Sequence, residues 1–546
     1  MSRAISAGPT DSPLIHQTIG ANLEQTATRF PDREALVVPH QQVRYTYREF
    51  DDAVNLVARG LIHLGIDVGD RVGIWSPNNA EWVLIQYATA KIGAILVNIN
   101  PAYRTSELEY ALNQSECKLL VSARSHLSSD YVSMVSEVRP NVSSLEQVMF
   151  LETPEWSDLL DGPTNVDADR LVQVGRSLDP DQPINIQYTS GTTGFPKGAT
   201  LSHYNILNNG FFVGEACGYT EDDRVCIPVP FYHCFGMVLG NLACTTHGAT
   251  IVVPGAGFEP GSVLETVESE RCTSLYGVPT MFIAELGHDD FDRFDLSTLR
   301  TGIMAGSPCP VEVMKRVISE MNMDEVTIAY GMTETSPVST QTGADDDIDH
   351  RVSTVGRIHP HVEVKIIDPT NGDIVDYGES GELCTRGYSV MLGYWNDPAR
   401  THEAIDSEGW MHTGDLATMD SDGYVNIVGR IKDMIIRGGE NVYPREIEEF
   451  LYTHPEIVDA QVIGVPDLKY GEQVMAWVKV KPGSDLSEHD VKEFCRGRIA
   501  HFKVPEYVGF ADEFPMTVTG KIQKYRLREI AVADLGLEGV GAQATA

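Results

Sequence analysis

Two early stretches of the chain carry apolar residues every three or four positions. From Ile19 to Phe30 these are Ile19, Leu23, Ala27 and Phe30; from Tyr47 to Leu64 they are Phe50, Val54, Val57, Leu61 and Leu64. This spacing lays one apolar stripe along a helix and predicts two amphipathic helices. The following apolar runs are shorter and continuous. Arg71 to Trp75 (RVGIW) predicts a buried strand, Trp82 to Ala90 a helix and Ala94 to Val97 a second strand. Strands at Cys117 to Val121, Ile184 to Tyr188, Arg224 to Ile227 and Thr250 to Val253 continue the alternation. Strand–helix–strand order predicts parallel sheet with crossover helices.

The texture changes after Gly429. Pro444 to Tyr452 (PREIEEFLY) predicts a short amphipathic helix with proline at its start. Val474 to Val480 (VMAWVKV) alternates as a half-exposed strand does, and Asp490 to Ile499 predicts another helix. The charged, glycine-led segment Gly429 to Asp433 is the boundary candidate. The chain has 546 residues, more than one core usually supports.

The composition is globular, with 42% hydrophobic and 22% charged residues. A net charge of −37 disfavours nucleic acid or an anionic membrane surface as the main partner. It leaves open an anionic small substrate, because a few local cations and dipoles can dominate a cleft. The nine cysteines are scattered and none forms Cys-x-x-Cys. This argues against a disulfide framework or zinc site and fits a reducing cytoplasm. No apolar run approaches the ~18 residues of a membrane span. The N-terminal MSRAISAGPTDSPLIHQ lacks the apolar core of a signal peptide and reads as a loose arm.

The candidate chemistry begins at Tyr188 to Gly198, YTSGTTGFPKG. Its glycines let backbone N–H groups approach phosphate oxygens, its hydroxyls (Thr189, Ser190, Thr192, Thr193) add donors, and Lys197 adds a charge. The Walker pattern is absent, since proline precedes the lysine and glycine follows it. The stretch resembles the signature loop of the adenylate-forming superfamily, which includes acyl-CoA synthetases. Four further segments resemble that family's motifs, in its order: Tyr330 to Pro337 (YGMTETSP), Thr413 to Leu416 (TGDL), Gly429 to Tyr443 (GRIKDMIIRGGENVY) and Pro515 to Lys521 (PMTVTGK). The likeness covers most of the chain and is greatest, through NIQYTSGTTGFPKGATLSHYNI, to the medium-chain acyl-CoA synthetases.

The resemblance implies an α/β fold. A large N-terminal adenylation domain of helix-flanked sheets with a small β-barrel would span 1–430. A small mobile α+β C-terminal domain would span 431–546, with Lys432 as the hinge. The implied reaction has two halves: a carboxylate attacks the α-phosphate of ATP to give acyl-adenylate and pyrophosphate, and the coenzyme A thiol then displaces AMP. The implied cofactors are ATP, Mg²⁺ and coenzyme A. Thr189, Ser190, Gly191, Thr192, Thr193, Gly194 and Lys197 would wrap the β- and γ-phosphates. Tyr330, beside Gly331, would stack on adenine, Thr333 would bond the α-phosphate, and Glu334 with Thr189 would hold Mg²⁺. Asp415 would accept the ribose hydroxyls and Arg430 would contact ribose or position the hinge. Lys521 would neutralise charge as two anions meet, and Gly438 and Gly439 would later take its place so that pantetheine can pass.

His233 would gate the carboxylate site, with Phe235, Gly306, Ser307 and Pro308 lining the acyl tunnel. At Gly331 acetyl-CoA synthetases, which resemble this segment, carry tryptophan; glycine is expected to leave space. Each buried CH₂ contributes ~0.8 kcal/mol, so an open tunnel favours roughly C6–C12 acids. The alternatives are a fatty acyl-AMP ligase and an aryl- or branched-acid CoA ligase. An amino-acid-activating domain is disfavoured because no aspartate lies near Phe235. A non-catalytic regulator is disfavoured because Lys521, Glu334 and Asp415 are all intact. The reading admits a homodimer, and it admits a lysine acetyltransferase acting on Lys521, whose context resembles the target pattern of such enzymes.

Overall fold

The computed structural model describes residues 3–161, 166–189, 196–438, 440–517 and 520–537. Among these residues the strands form four large sheets and one two-stranded hairpin. The nine-stranded sheet is parallel through Glu34–Val38, Thr250–Val252, Arg224–Cys226, Ser274–Gly277, Thr301–Ala305 and Glu325–Gly331. Antiparallel strands finish both of its edges. The seven-stranded sheet is parallel through Pro183–Thr189, Ile95–Asn98, Arg71–Trp75, Leu119–Ser122 and Gln147–Phe150, with Lys197–Ser202 added antiparallel.

The alternation of side chains along each strand assigns them to different cores. Leu36 and Val38 enter a central core that also takes Val72, Ile74, Leu96 and Leu201 of the other sheet. Val37, Cys226, Val252 and Met304 face the opposite side, under helices Pro260–Ser269, Pro279–Leu286 and Val311–Glu320. Trp75, Val97 and Leu120 face a third core under Thr105–Gln114 and Tyr131–Val138, where Trp75 stacks on Tyr131 with centroids 3.6 Å apart.

Helix Ala80–Ile92 lies in the central core and buries every residue except Glu81. Its sequence, AEWVLIQYATAKI, is apolar nearly all round, which suits a helix enclosed between layers. Asn79 caps it by accepting the Trp82 amide at 2.7 Å. Its buried Lys91 is satisfied by Glu24, Asp51 and Asn55 at 2.9, 2.7 and 2.6 Å. Two carboxylates thus compensate the one buried ammonium.

The third sheet is antiparallel and orders Ile5–Ala7, Val362–Ile367, Gly381–Gly387, Met411–Met419 and Val425–Arg430. Among the described residues no pairing joins its two edges, so the small barrel expected here is an open sheet. Arg430 ends its last strand, a single 3₁₀ turn follows at Ile431–Asp433, and a separate sheet then begins. In that sheet Gly471–Val480 pairs with Ile457–Asp467 and Tyr507–Phe510. Val474, Ala476 and Val478 pack on helix Pro444–Tyr452, whereas Met475 and Trp477 pack on helix Lys524–Asp534. The helix expected to reach Ile499 stops at Cys495, because Arg496 is extended and Gly497 takes φ +69°.

Leu36 is fully buried where the two large sheets share one core. Leu36→Ala should destabilise the protein by about 2–5 kcal/mol and lower the thermal unfolding midpoint; an unchanged midpoint would contradict this packing.

Candidate active site

One cavity of about 1100 Å³ collects residues from three of the four large sheets and from the segments that flank the fourth. Thr189 ends a strand of the seven-stranded sheet; Ala305 and Gly331 end strands of the nine-stranded sheet. Asp415 and Arg430 come from the third sheet, and Lys521 from beyond the fourth. The carboxyl ends of parallel strands are a usual place for a ligand, because loops there diverge and leave a crevice.

After Gly331 the chain makes a tight turn at Thr333–Thr335 that buries Thr333 and Glu334. Glu334 Oε1 accepts the Tyr394 hydroxyl at 2.8 Å and lies 3.4 Å from the Thr189 hydroxyl. Tyr394 is held by pairing of its strand with Ala199, and the Lys197 ammonium stands 4.9 Å from its ring centroid. Sequence reasoning missed Tyr394. It lies in no recognised motif, and only the pairing of Gly393–Tyr394 with Lys197–Ser202 brings it to Glu334.

Asp415 and Arg430 are register partners on neighbouring strands. Arg430 Nε lies 3.1 Å from Asp415 Oδ1, and the Tyr330 hydroxyl donates to Oδ2 at 2.8 Å. Burial raises the Asp415 carboxyl above its usual range, and the Arg430 guanidinium and Tyr330 hydroxyl oppose that shift. Tyr330 therefore lines the cavity with its hydroxyl anchored.

Lys521 is delivered by a turn that closes on itself. Thr517 N donates to Lys521 O at 2.8 Å, Lys521 N donates to Thr517 Oγ1 at 3.1 Å, and Gly520 O accepts Thr280 Oγ1 at 3.2 Å. Gly520 has φ +76°, and a Cβ there would lie 2.8 Å from Val278 Cγ2. Gly306, at φ +91°, would place a Cβ 3.5 Å from Lys521 Cε. Positive φ at both positions, with Val278 packed against each, accounts for glycine at 306 and 520. Desolvation, then the Arg430 charge, lowers the Lys521 ammonium below the usual lysine range, while Cys234, Asp415 and Glu334 pull it back up.

His233 Nδ1 accepts the Phe235 amide at 3.1 Å, which leaves the proton of the neutral ring on Nε2. Burial and the Lys521 charge push its pKa down to about 3, so the ring is neutral in ordinary buffers. Phe235 is buried and its ring lies 5.7 Å from that of Tyr276. The cavity wall here is Phe235, Leu239, Ala305 and Val338.

Several expected residues lie elsewhere. Ser307 and Pro308 are not among the residues lining the cavity. Gly438 is outside the lining too, in a turn where its amide donates to Tyr470 O at 2.8 Å. Lys432 lines the cavity and is exposed. Ser190, Gly191, Thr192, Thr193, Gly194 and Gly439 lie outside the described residues. Gly331 lines the cavity, but the reason for glycine differs from the one expected. A Cβ at 331 would sit 1.7 Å from Pro337 O and 3.0 Å from Val338 Cα, so the neighbouring backbone, not open tunnel, excludes a side chain.

A family model described as AMP-binding enzyme matches residues 23–395, and one described as AMP-binding enzyme C-terminal domain matches residues 446–521. The chain is 53% identical to YngI of Bacillus subtilis (strain 168), over 94% of this chain and 97% of that one. It is 44% identical to the medium-chain acyl-CoA ligase ACSF2, mitochondrial, of Danio rerio, over 97% and 91% of the two chains. In structure it is similar to the anthranilate CoA ligase AuaEII in complex with anthranoyl-AMP, with TM-score 0.86, 27% identity, and 95% and 98% of the two chains covered.

Gly331→Ala should lower the thermal unfolding midpoint, with a cost of roughly 1–3 kcal/mol, because a methyl group must displace the Pro337 backbone. An unchanged midpoint would show that the site has room for a side chain.

Proposed function

The chain belongs to the AMP-binding enzyme family, and we propose from this that it is an ATP-dependent ligase joining a medium-chain fatty acid to coenzyme A. The observation that carries the reading is one cavity holding Lys521 together with Thr333, Glu334, Tyr330 and Asp415. The substrate class is supported by the medium-chain acyl-CoA ligase of Danio rerio, which is 44% identical to this chain where the two align.

In the first half-reaction a carboxylate oxygen of the acid bonds to the α-phosphorus, and the bond from that phosphorus to the pyrophosphate oxygen breaks. Two anions must meet, so the residues' task is orientation and charge stabilisation. Lys521 is assigned to the approaching carboxylate and α-phosphate, Thr333 to an α-phosphate oxygen, and residues 189–197 to the departing pyrophosphate. Asp415 is assigned to the ribose diol, with Arg430 beside it, and Tyr330 to the adenine face. His233, neutral with Nε2–H available, is assigned to orienting the acid at the tunnel mouth.

The oxygen donors of Glu334 and Thr189, 3.4 Å apart, suit a hard cation such as Mg²⁺. When bound, Mg²⁺ would screen the triphosphate and help pyrophosphate leave. Tyr394 keeps one Glu334 oxygen oriented while the other can face the cavity.

In the second half-reaction the thiol sulfur of coenzyme A bonds to the acyl carbon, the thiol proton is lost, and the acyl–oxygen bond to AMP breaks. The thiol needs access to the acyl carbon, so we infer that the unit carrying Lys521 moves away between the two halves. We assign the two units to 1–430 and 431–546, the hinge to Lys432, and the pantetheine passage to Gly438 and Gly439. Acetylation of Lys521 would remove the charge the first half needs. We place the reaction in the cytoplasm because the nine cysteines are free and buried, as suits a reducing compartment.

Pyrophosphate release measured across C2–C18, branched and aromatic acids, with and without coenzyme A, tests the proposal. A maximum for straight medium-chain acids with coenzyme A-dependent turnover is expected. Release without such turnover would favour an acyl-AMP ligase, and a maximum for aromatic acids would favour an aryl-CoA ligase. The pH profile is a second test. Lys521 acts charged and its pKa is lowered, so adenylation should fall with rising pH through a value below the ~10.4 of free lysine. No limb from His233 should appear between pH ~5 and ~9, because burial keeps that ring neutral. A profile flat up to the free-lysine range would contradict the role given to Lys521.

A further inference from the structure

The turn that carries Asp415 lies in a bulge of the third sheet. Glu382 faces Leu416, and Cys384 faces His412. Two steps along one strand therefore oppose four along the other, and Thr413, Gly414 and Asp415 bow out of the ladder. A backbone amide that loses its ladder partner needs another acceptor. The Gly414 amide finds Glu382 Oε1 at 3.1 Å. The other oxygen of the same carboxylate, Oε2, receives His412 Nδ1 at 3.1 Å. Thr413 Oγ1 donates to Leu383 O at 2.7 Å and accepts the Asp415 amide at 3.1 Å, which closes the turn. Glu382, His412, Thr413, Gly414 and Asp415 all line the cavity.

We propose that Glu382 and His412 are positioning residues for the ribose site: their carboxylate–imidazole pair grips the Gly414 amide and fixes the direction in which Asp415 presents its carboxylate. The inference rests on the assignment of Asp415 to the ribose diol. The supports around the pair are consistent with it. Cys384 Sγ lies 3.5 Å from His412 Nδ1, and Asp406 Oδ2 lies 3.9 Å from His412 Nε2 and 3.9 Å from Lys365 Nζ. Glu382 has side-chain exposure of 13%, so its bonds to Gly414 and His412 meet little competition from water. The hydrogen bond with Glu382 raises the imidazole of His412 above its usual range, against the effect of burial. Two aligned hydroxyl contacts to a fixed carboxylate are more selective than contacts to one free to rotate, so the consequence falls on nucleotide choice and not on the acid.

The readout is the ratio of kcat/KM for ATP to that for 2′,3′-dideoxyadenosine triphosphate, in acid-dependent pyrophosphate release. Asp415→Ala should collapse this ratio. Glu382→Ala should lower it about tenfold with the KM for the acid unmoved, which corresponds to one charge-assisted hydrogen bond losing its geometry. Glu382→Gln, whose amide oxygen can still accept the Gly414 N–H, should restore most of it. His412→Ala frees the Glu382 carboxylate without removing it and should give an intermediate ratio; its side chain is 32% exposed, so the core is spared. A wild-type ratio in Glu382→Ala and His412→Ala, alongside a collapsed ratio in Asp415→Ala, overturns the inference and leaves the ribose assignment standing. An unchanged ratio in Asp415→Ala overturns the ribose assignment and the inference with it.

Discussion

The site depends on holding one ammonium group charged where water is scarce. Lys521 enters the cavity from a closed turn, and desolvation and the nearby Arg430 both disfavour its charge. Cys234, Asp415 and Glu334 favour it; Asp415 stands on the third sheet and Glu334 in the turn after a strand of the nine-stranded sheet. Burial works against a charged ammonium, and nearby negative charge works for it. The surrounding architecture follows from that balance. Thr280 anchors the turn that carries the lysine, Val278 packs against Gly306 and Gly520, and the Tyr330–Asp415–Arg430 cluster fixes one of the counter-charges.

Convergence of the sheets makes this arrangement possible. Two large parallel sheets share a core around helix Ala80–Ile92. Their strand ends open toward one crevice, where a strand end places Thr189 and short turns place Gly306, Thr333 and Glu334. The third sheet adds a bulge that projects Asp415 into the same space. Because the crevice already holds opposed charges before any ligand enters, little reorganisation is needed when charge develops on phosphate oxygens. Lys197 takes a place in this network as well, resting over the ring of the tyrosine that holds Glu334.

Local patterns made much of this legible. The strand Arg71–Trp75 and helix Pro444–Tyr452 follow directly from runs such as RVGIW and PREIEEFLY, since side-chain period and proline position act within a few residues. Other features depend on contacts that sequence distance hides. Tyr394 reaches Glu334 only through strand pairing, and Glu382 reaches Gly414 only across a bulge. The glycine at 331 answers a backbone approach from Pro337, which no local pattern announces. The end of helix Glu488–Cys495 is set by the left-handed Gly497, while apolar spacing alone ran on past it. The openness of the third sheet is likewise a matter of edge pairing between segments hundreds of residues apart.

The central claim is that the Lys521 charge serves the union of carboxylate and phosphate and has no part in thiol transfer. The most direct measurement compares Lys521→Ala with the unchanged protein in the two half-reactions taken separately: pyrophosphate release from acid and ATP, and thioester formation from supplied acyl-AMP and coenzyme A. A loss of roughly 10²–10³ in the first, with the second largely retained, is the result expected when one charge that stabilises the transition state is removed. Equal loss in both half-reactions would contradict the account.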